Sequence, residues 1–523
     1  MLTLKKSMEL AGQNLIATLS PLHDNMPFWN VDIDSDMRAA CRMSWPSHNI
    51  GRWWDALLRL EAVTGFVIPA TAESSMLRHL KALFDNPLSV CGFLISDPDS
   101  NWTKTKGWVD DHSHREALLG LTCLVRYRGN QWALEQGQAV IRALDRYILN
   151  DGTWDYKTMA DLANQGGVEI VPEEIGLVAG REFTGTESHG RLIEALLEFF
   201  EVSGSERAFR LAARLSEFHY ENITREDGSV PATGYLHTHS LFGTYRGLLR
   251  YGQLTRQHQY VDRVATTYRN TVQAHVKQSG FISHDWSLDT KGETTSPGDA
   301  AQLALWLAKI GYSEFLDDAE RIVRNRILAS QITSHLGLEP MERDGADEHE
   351  NLDERVLGAF GGMHRHPHGE SLPTTDITAA DLHTLCDIYG NIVEYTDSGI
   401  RINFHFDYED ESLSTTCVRR EKGYFDVLLK VSSSLFVRVP GWVPEDSIGV
   451  SINKQSVRSV LVDHFLFIPE LAPGDLIQLQ YDLPVKRVRE HTDQVDYEIT
   501  WCGDDVVGIT PNTDFLPFYP DAK

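Results

Sequence analysis

His239-Ser-Leu-Phe-Gly-Thr-Tyr-Arg-Gly-Leu-Leu-Arg-Tyr-Gly-Gln-Leu254 spaces its apolar side chains three and four residues apart, and Tyr260 to Lys277 does so again after a short polar break. That spacing makes one face of a helix apolar, and Gly252 reads as the stop between the two. The stretch is a helical hairpin, and the same form recurs in both directions along the chain. Ile50 to Gly65 precedes a segment around Met76, His114 to Arg128 precedes Trp132 to Asn150, His189 to Ser203 precedes Glu206 to Glu221, and Asp299 to Ile310 precedes Phe315 to Gln331. Tyr127-Arg-Gly129, Val202-Ser-Gly204 and Ile310-Gly311 punctuate the partners. A pair from the N-terminal segment and Ala379 to Ile392 brings the total to about six hairpins. Unequal spacing suits hairpins set radially, with long loops on one side, better than a solenoid of fixed period. The predicted fold of residues 1–392 is an (α/α)6 barrel, a six-hairpin toroid.

After Tyr395 the period changes to two. Ile400-Arg-Ile-Asn-Phe-His-Phe406, Phe425-Asp-Val-Leu-Leu-Lys-Val431, Leu435-Phe-Val-Arg-Val439, Ile448-Gly-Val-Ser-Ile452 and Leu476-Ile-Gln-Leu-Gln-Tyr481 alternate as half-buried strands do. Pro440-Gly441, Asn453-Lys454 and Pro473-Gly-Asp475 are turn signals between them. Residues 393–490 therefore read as an antiparallel β-sandwich. Residues 491–523, with Trp501, Phe515 and Phe518, read as an extension packed on the other domains.

Composition narrows the function. A chain of 523 residues exceeds one ordinary core. Its formal charge of -27 argues against nucleic acid, whose phosphates need clustered Lys and Arg. No stretch is apolar enough to span a bilayer, and Met-Leu-Thr-Leu-Lys-Lys-Ser-Met-Glu-Leu at the start lacks the apolar run of a secretory signal, so the expected location is the cytoplasm. The six cysteines are scattered without any CxxC spacing, which makes buried free thiols the default. No cofactor is expected, although a divalent metal has a conceivable site. The sequence carries no signal for oligomeric state.

Four polar clusters stand just ahead of helices: Trp108-Val-Asp-Asp-His-Ser-His114, Thr186-Glu-Ser-His-Gly-Arg191, Tyr235-Leu-His-Thr-His239 and Ser296-Pro-Gly-Asp299. If these helices are the inner staves of one barrel, the clusters converge on one rim. Asp111 competes between helix capping and catalysis, while His112 and His114 beside Trp108, able to stack on a sugar, are harder to explain by capping. Glu187 and Arg191 read either as a surface ion pair or as a carboxylate paired with a carboxylate-binding fork, and His189 has the side chain best suited to proton transfer. His237, His239, Tyr245 and Arg246 offer a base, an acid and a cation, with a core position as the plain alternative for Tyr245. Asp299 could pair with Asp111 or Glu187 as the two carboxylates of a glycosidase. Arg52 is a carboxylate or sulfate ligand by type, and Trp53 is a sugar platform or core. His364-Arg-His-Pro-His-Gly-Glu370 is a metal candidate through His364, His366, His368 and Glu370, or a solvated loop.

The hairpin series followed by Leu435-Phe-Val-Arg-Val-Pro-Gly-Trp442, Val450-Ser-Ile-Asn453, Pro473-Gly-Asp-Leu476 and Leu483-Pro-Val-Lys-Arg-Val-Arg489 resembles glycoside hydrolase family 127, typified by β-L-arabinofuranosidases. The resemblance implies an (α/α)6 catalytic barrel followed by β-sandwich material. It also implies a zinc site of one glutamate and three cysteines, but Thr295-Ser-Pro-Gly-Asp-Ala-Ala301 and Ile377-Thr378, where that site would fall, hold no cysteine. That site is not carried over. The same architecture is similar to that of polysaccharide lyases, unsaturated glucuronyl hydrolases and an oligosaccharide dehydratase of ulvan breakdown.

The expected function is a carbohydrate-active, glycoside hydrolase-like enzyme acting on short plant or algal oligosaccharides by His/Tyr/carboxylate acid-base chemistry. The alternatives are a lyase or dehydratase that performs β-elimination on uronic-acid-containing oligosaccharides, with His189 or His239 as base and Tyr245 as acid, and a non-catalytic sugar-binding protein.

Overall fold

The computed structural model describes residues 2–27, 30–42, 46–85, 91, 111–153, 155, 189–230, 237–286, 291–342, 350–362, 364–365, 368–369, 371–372, 374–492 and 495–520. The long helices in chain order are α1 (Leu4–Ala17), α2 (Pro46–Thr64), α3 (Ala70–Leu83), α4 (Asp111–Arg128), α5 (Gln131–Tyr147) and α6 (Leu192–Ser203). They continue as α7 (Glu206–Asn222), α8 (Thr238–Thr255), α9 (His258–Thr267), α10 (Thr295–Ala308), α11 (Leu316–Ile322) and α12 (Asp376–Gly390). The even-numbered helices other than α12 each pack on the next even one, and α12 packs on both α10 and α2. Six helices thus close a ring. The outer layer of α1, α3, α5, α7, α9 and α11 leans on it.

Burial separates the two layers as the sequence spacing requires. On α5 only a stripe, Ala133, Gly137, Val140, Ile141, Ala143, Leu144 and Tyr147, is buried, and Asn130 caps its start. On α10 every residue but Trp306 is buried. Ring closure also needs close helix approach, and glycine supplies it. A Cβ at Gly51 would lie 2.3 Å from the Glu116 carbonyl carbon, and one at Gly247 would lie 2.6 Å from Cβ of Ile193. Gly252 does not end its helix as the sequence reading has it. The helix runs on to Thr255, Arg256 takes the left-handed cap at φ 56°, and Gly252 instead gives Tyr260 room.

Residues 1–392 are not helical throughout. Asn30–Ile33 and Arg38–Arg42 form a hairpin closed where Asp34 accepts from the Asp36 and Arg38 amides, and Glu339–Pro340 and Ser371–Leu372 complete a four-stranded sheet. Strands this short leave too little alternation to read in the sequence.

Beyond α12 lie two sheets. One orders Val460–Val462, Phe465–Leu471, Ser433–Arg438, Gly399–Ile402 and Val393–Thr396; the other is built around Leu413–Arg419, Lys422–Leu429 and Leu476–Asp482. Their buried residues belong to one hydrophobic cluster with the ring helices. The expectation of a wholly antiparallel unit is corrected at one place. Gly399–Ile402 pairs parallel with Ser433–Arg438, because the chain crosses to the other sheet for residues 408–429 before returning. Val485–Thr492 opens a third sheet with Val495–Cys502 and Asp505–Thr510, so a strand spans position 490. That sheet sits on the tail of α11, where the Val506 amide donates to Asn325 Oδ1 at 2.8 Å and Tyr519 Oη donates to the Asn325 carbonyl at 2.5 Å. No helix among the described residues is long and apolar enough to cross a membrane.

Candidate active site

The ring encloses charge. Arg52 and Arg59 on α2 are seven residues apart, Glu194 and Glu198 on α6 four, and Arg246 and Arg250 on α8 four, so each helix turns a polar stripe inward. Glu116 on α4 accepts from Arg115 at 2.7 Å and Arg191 at 3.1 Å, and lies 3.3 Å from Arg52. Burial works against the Glu116 charge, but the Arg115, Arg52 and Arg191 guanidiniums outweigh it and hold the carboxyl well below its usual range. Glu194 accepts from Arg246 at 2.8 Å and Arg115 at 3.2 Å. One level further in, Arg59 bridges Asp55 and Glu198, each at 2.8 Å, and His383 meets Asp55 at 2.5 Å. A cavity of about 20 Å³ between these levels has room for one water.

Above this shaft, the starts of the ring helices meet, which establishes that they share one end. His239 Nε2 receives Arg52 at 2.8 Å and Arg191 at 2.7 Å. Guanidiniums only donate, so Nε2 carries no proton, and Nδ1–H donates to Asp299. Burial, helped by Arg191 and Arg52, pushes the His239 pKa well below its normal value. Burial raises Asp299 to about 6 against the pull of Arg246, its other partner at 2.7 Å. Arg191, entirely buried, is brought down to about 10 by burial and by neighbouring Arg115, and remains charged.

Four imidazoles arc across the mouth. Ring centroids run from His48 to His112 at 6.0 Å, from His112 to His237 at 5.9 Å and from His237 to His284 at 4.4 Å. At one end His48 Nε2 meets Asp376 at 2.8 Å, and Arg52 Nε holds the same carboxylate at 2.9 Å. Burial opposes the charge of Asp376, but Arg52 and His48 lower its pKa overall. At the other end His237 Nε2 lies 3.2 Å from Glu293, and His284 Nε2 lies 4.0 Å from it. Arg191 donates to His112 Nδ1, which leaves the His112 proton on Nε2.

Of the residues singled out in the sequence, Arg52, His112, Arg191, His237, His239, Arg246 and Asp299 are brought together. His239, Arg246 and Asp299 form the floor, with their polar atoms spent on each other, so His239 presents no free nitrogen to a substrate. Tyr245 is placed elsewhere: its ring is buried beside Thr267 and Arg263, toward the outer layer, and burial raises its pKa. It points away because it sits six positions after His239, about 120° round the helix. Trp53 is core, fully buried, with its indole N–H on the Leu15 carbonyl at 3.0 Å, which corrects the sugar-platform reading. His114 is fully buried and accepts from the Cys91 amide at 3.2 Å. His364 is likewise buried, with Arg326 donating to its ring at 2.7 Å, so a guanidinium stands where a cation would bind. Trp108, Glu187, His366 and Glu370 lie outside the described residues, as do the side chains of Asp111, His189 and His368.

Glu116, His284, Glu293 and Asp376 went unread in the sequence. Glu116 announces itself only as a charge on the face that the helix buries. Glu293 and His284 lie on a segment without helical or strand period, positioned by bridges from Ser283 to Gly292 and from Gly292 to His364. The zinc-thiolate centre implied by the resemblance does not fit: the metal-competent group of the mouth contains no cysteine, and Thr378 instead accepts from the Phe360 amide.

No protein-family model and no curated protein sequence matches the chain. Solved structures do. A GH127 β-L-arabinofuranosidase from Geobacillus stearothermophilus T6 is similar over 95% of this chain and 80% of its own, with a TM-score of 0.56 and 13% identity. A second GH127 β-arabinofuranosidase is similar over 95% of this chain and 78% of its own, with a TM-score of 0.61 and 13% identity. A cellobiose 2-epimerase from Bacillus thermoamylovorans B4167 covers 72% of this chain and 95% of its own, with a TM-score of 0.50 and 14% identity. These likenesses establish a shared fold.

Proposed function

We propose that the chain is a carbohydrate-active enzyme of glycoside hydrolase type, an (α/α)6 barrel followed by a β-sandwich, that cleaves short oligosaccharides at the histidine-lined mouth. The observation that carries the reading is the convergence of four imidazoles and two carboxylates, Asp376 and Glu293, on one end of a ring whose interior is otherwise sealed by ion pairs. Imidazole and carboxylate are the groups that exchange protons with sugar oxygens near neutral pH. The fold shared with two arabinofuranosidases and a cellobiose epimerase supports a sugar substrate. In this reading Asp376, kept ionised by Arg52 and His48, faces the reacting carbon or its attacking water. His112, with its proton on Nε2, donates to a sugar hydroxyl.

The sealed floor supports a second reading. Arg52 and Arg191 put two guanidiniums beneath the mouth, and such a pair neutralises a uronate carboxylate, as β-elimination requires. With Tyr245 turned away, the acid in that reaction would have to be an imidazole.

One assay separates the readings. The protein is incubated with neutral and uronic-acid-containing oligosaccharides, and products are followed by mass, reducing ends and ultraviolet absorbance. Gain of water across a broken linkage is the expected result, and Asp376→Asn lowers kcat/KM about 100-fold or more. New unsaturation in place of added water supports elimination, and binding without turnover of any sugar overturns both.

A further inference from the structure

The end of the imidazole arc farthest from Asp376 has the chemistry of a metal site. The ligating atoms of His237, His284 and Glu293 all lie within 4.8 Å of one another. Ligands about 2.0–2.2 Å from a shared zinc ion in tetrahedral array stand about 3.4 Å apart. His237 Nε2 and Glu293 Oε1 are already at 3.2 Å, and His284 Nε2 stands 4.0 Å from the other oxygen. Small side-chain rotations would draw the three atoms to that separation.

The backbone under these side chains is pinned. His237 forms an antiparallel bridge with Asp285, the Thr238 amide donates to the His284 carbonyl at 2.9 Å, and the His284 amide donates to the Lys291 carbonyl at 2.7 Å. Gly292 is tied in turn to His364 by amide–carbonyl bonds of 2.9 and 3.0 Å. Three separate stretches of chain are thereby tied together by backbone hydrogen bonds, which preorganises the ligand set. His237 Nδ1 is engaged by Ser240 Oγ at 2.9 Å, which orients the ring and turns Nε2 toward Glu293.

We propose that His237, His284 and Glu293 bind one divalent transition metal of the zinc class, with its remaining position open to the mouth. Two neutral imidazoles and a carboxylate favour zinc, cobalt or nickel over magnesium and calcium, which take all-oxygen sites. The side chains of His284 and His237 keep 25% and 15% of their surface exposed, so a fourth ligand can approach from solvent. Three protein ligands and one open position mark a site that works on a bound water or hydroxyl, whereas a structural site is closed by four. Metal binding here does not depend on the substrate assigned above.

The test uses the full chain without any sugar. After dialysis against a chelator, zinc titration followed by calorimetry is expected to show one site per chain. Cobalt substitution should give visible d–d bands without a thiolate charge-transfer band. His284→Ala and Glu293→Gln should each weaken zinc binding about tenfold or more, Ser240→Ala should weaken it by less, and the exposed His258→Ala should leave it unchanged. Circular dichroism and the thermal midpoint of each variant show that it has folded. Zinc binding that is equally tight in folded His284→Ala and Glu293→Gln, a cobalt spectrum of thiolate type, or no stoichiometric binding overturns the proposal. Failure of the sugar assay alone would leave it standing.

Discussion

Three arginines share one carboxylate in the floor of the site, and this decides what a single substitution there costs. Arg52, Arg115 and Arg191 all meet Glu116, whose side chain is only 2% exposed. Removing one partner of a buried ion pair leaves uncompensated charge where water cannot reach, at a cost of about 3–5 kcal/mol. Glu116→Gln is expected to lose that much in urea unfolding, a large part of a total stability of about 5–15 kcal/mol. A loss below about 1 kcal/mol would mean that the guanidiniums find other partners. Because Arg191 also fixes His112 and His239, the same variant should disturb the mouth as well as the shaft. At this scale the sequence was partly legible. His237, His239, Arg191, Arg246 and Asp299 could be named from their place ahead of helices or on one face, but which nitrogen of His239 carries the proton depends on Arg52, from a helix far away in the chain.

At the scale of elements, period told helix from strand wherever a segment was long. α8 and α9, and the paired strands Lys422–Leu429 and Leu476–Asp482, needed nothing beyond their spacing. The polar stripes inside the ring escaped because an inward charge and a solvated charge look alike in one sequence, and only ring closure distinguishes them. A comparable buried polar residue joins the two large sheets. His405 stacks on Phe425 at 4.2 Å, donates from Nε2 to the Arg438 carbonyl at 2.7 Å and accepts from Tyr481 Oη at Nδ1, 2.9 Å away. Burial lowers its pKa to about 3, and Arg438 and Arg419 add to this against the pull of Glu320. The folded state thus holds it neutral, while the unfolded chain takes up a proton below the ordinary imidazole value of 6.5. Its contribution is complete above pH 6.5 and shrinks as pH falls toward 3, by up to about 5 kcal/mol. His405→Gln should be less stable at pH 7.5 and should lose stability with acid less steeply than the parent. Parallel profiles of unfolding free energy against pH would refute this.

For the whole molecule, the question is whether the ring stands without the sheets. Glu320 of α11, fully buried, takes Arg324 at 2.8 Å from its own helix, Arg419 at 3.2 Å from one sheet and Arg438 from the other. Arg438 also reaches Asp317, and Arg419 reaches Asp504 and Asp505 in the third sheet. One carboxylate therefore sits at the junction of the helical layer and three sheets. The apolar cluster does not break there either: Leu316, Ile322, Ile392, Ile400, Leu435 and Phe425 belong to the same continuous core. Ending the chain after residue 392 would strip Glu320 of two of its three arginines and expose apolar surface along α11 and α12. Each Å² of such surface costs about 25 cal/mol in water. The intact chain is therefore expected to melt in one calorimetric transition, and a fragment of residues 1–392 should show no sharp transition of its own. Glu320→Gln in the full chain should cost about 3–5 kcal/mol while the single transition is kept, since the junction is weakened but the core remains continuous. Two resolved transitions, one of them matching that of the fragment, would show instead that the ring folds alone and the sheets are appended.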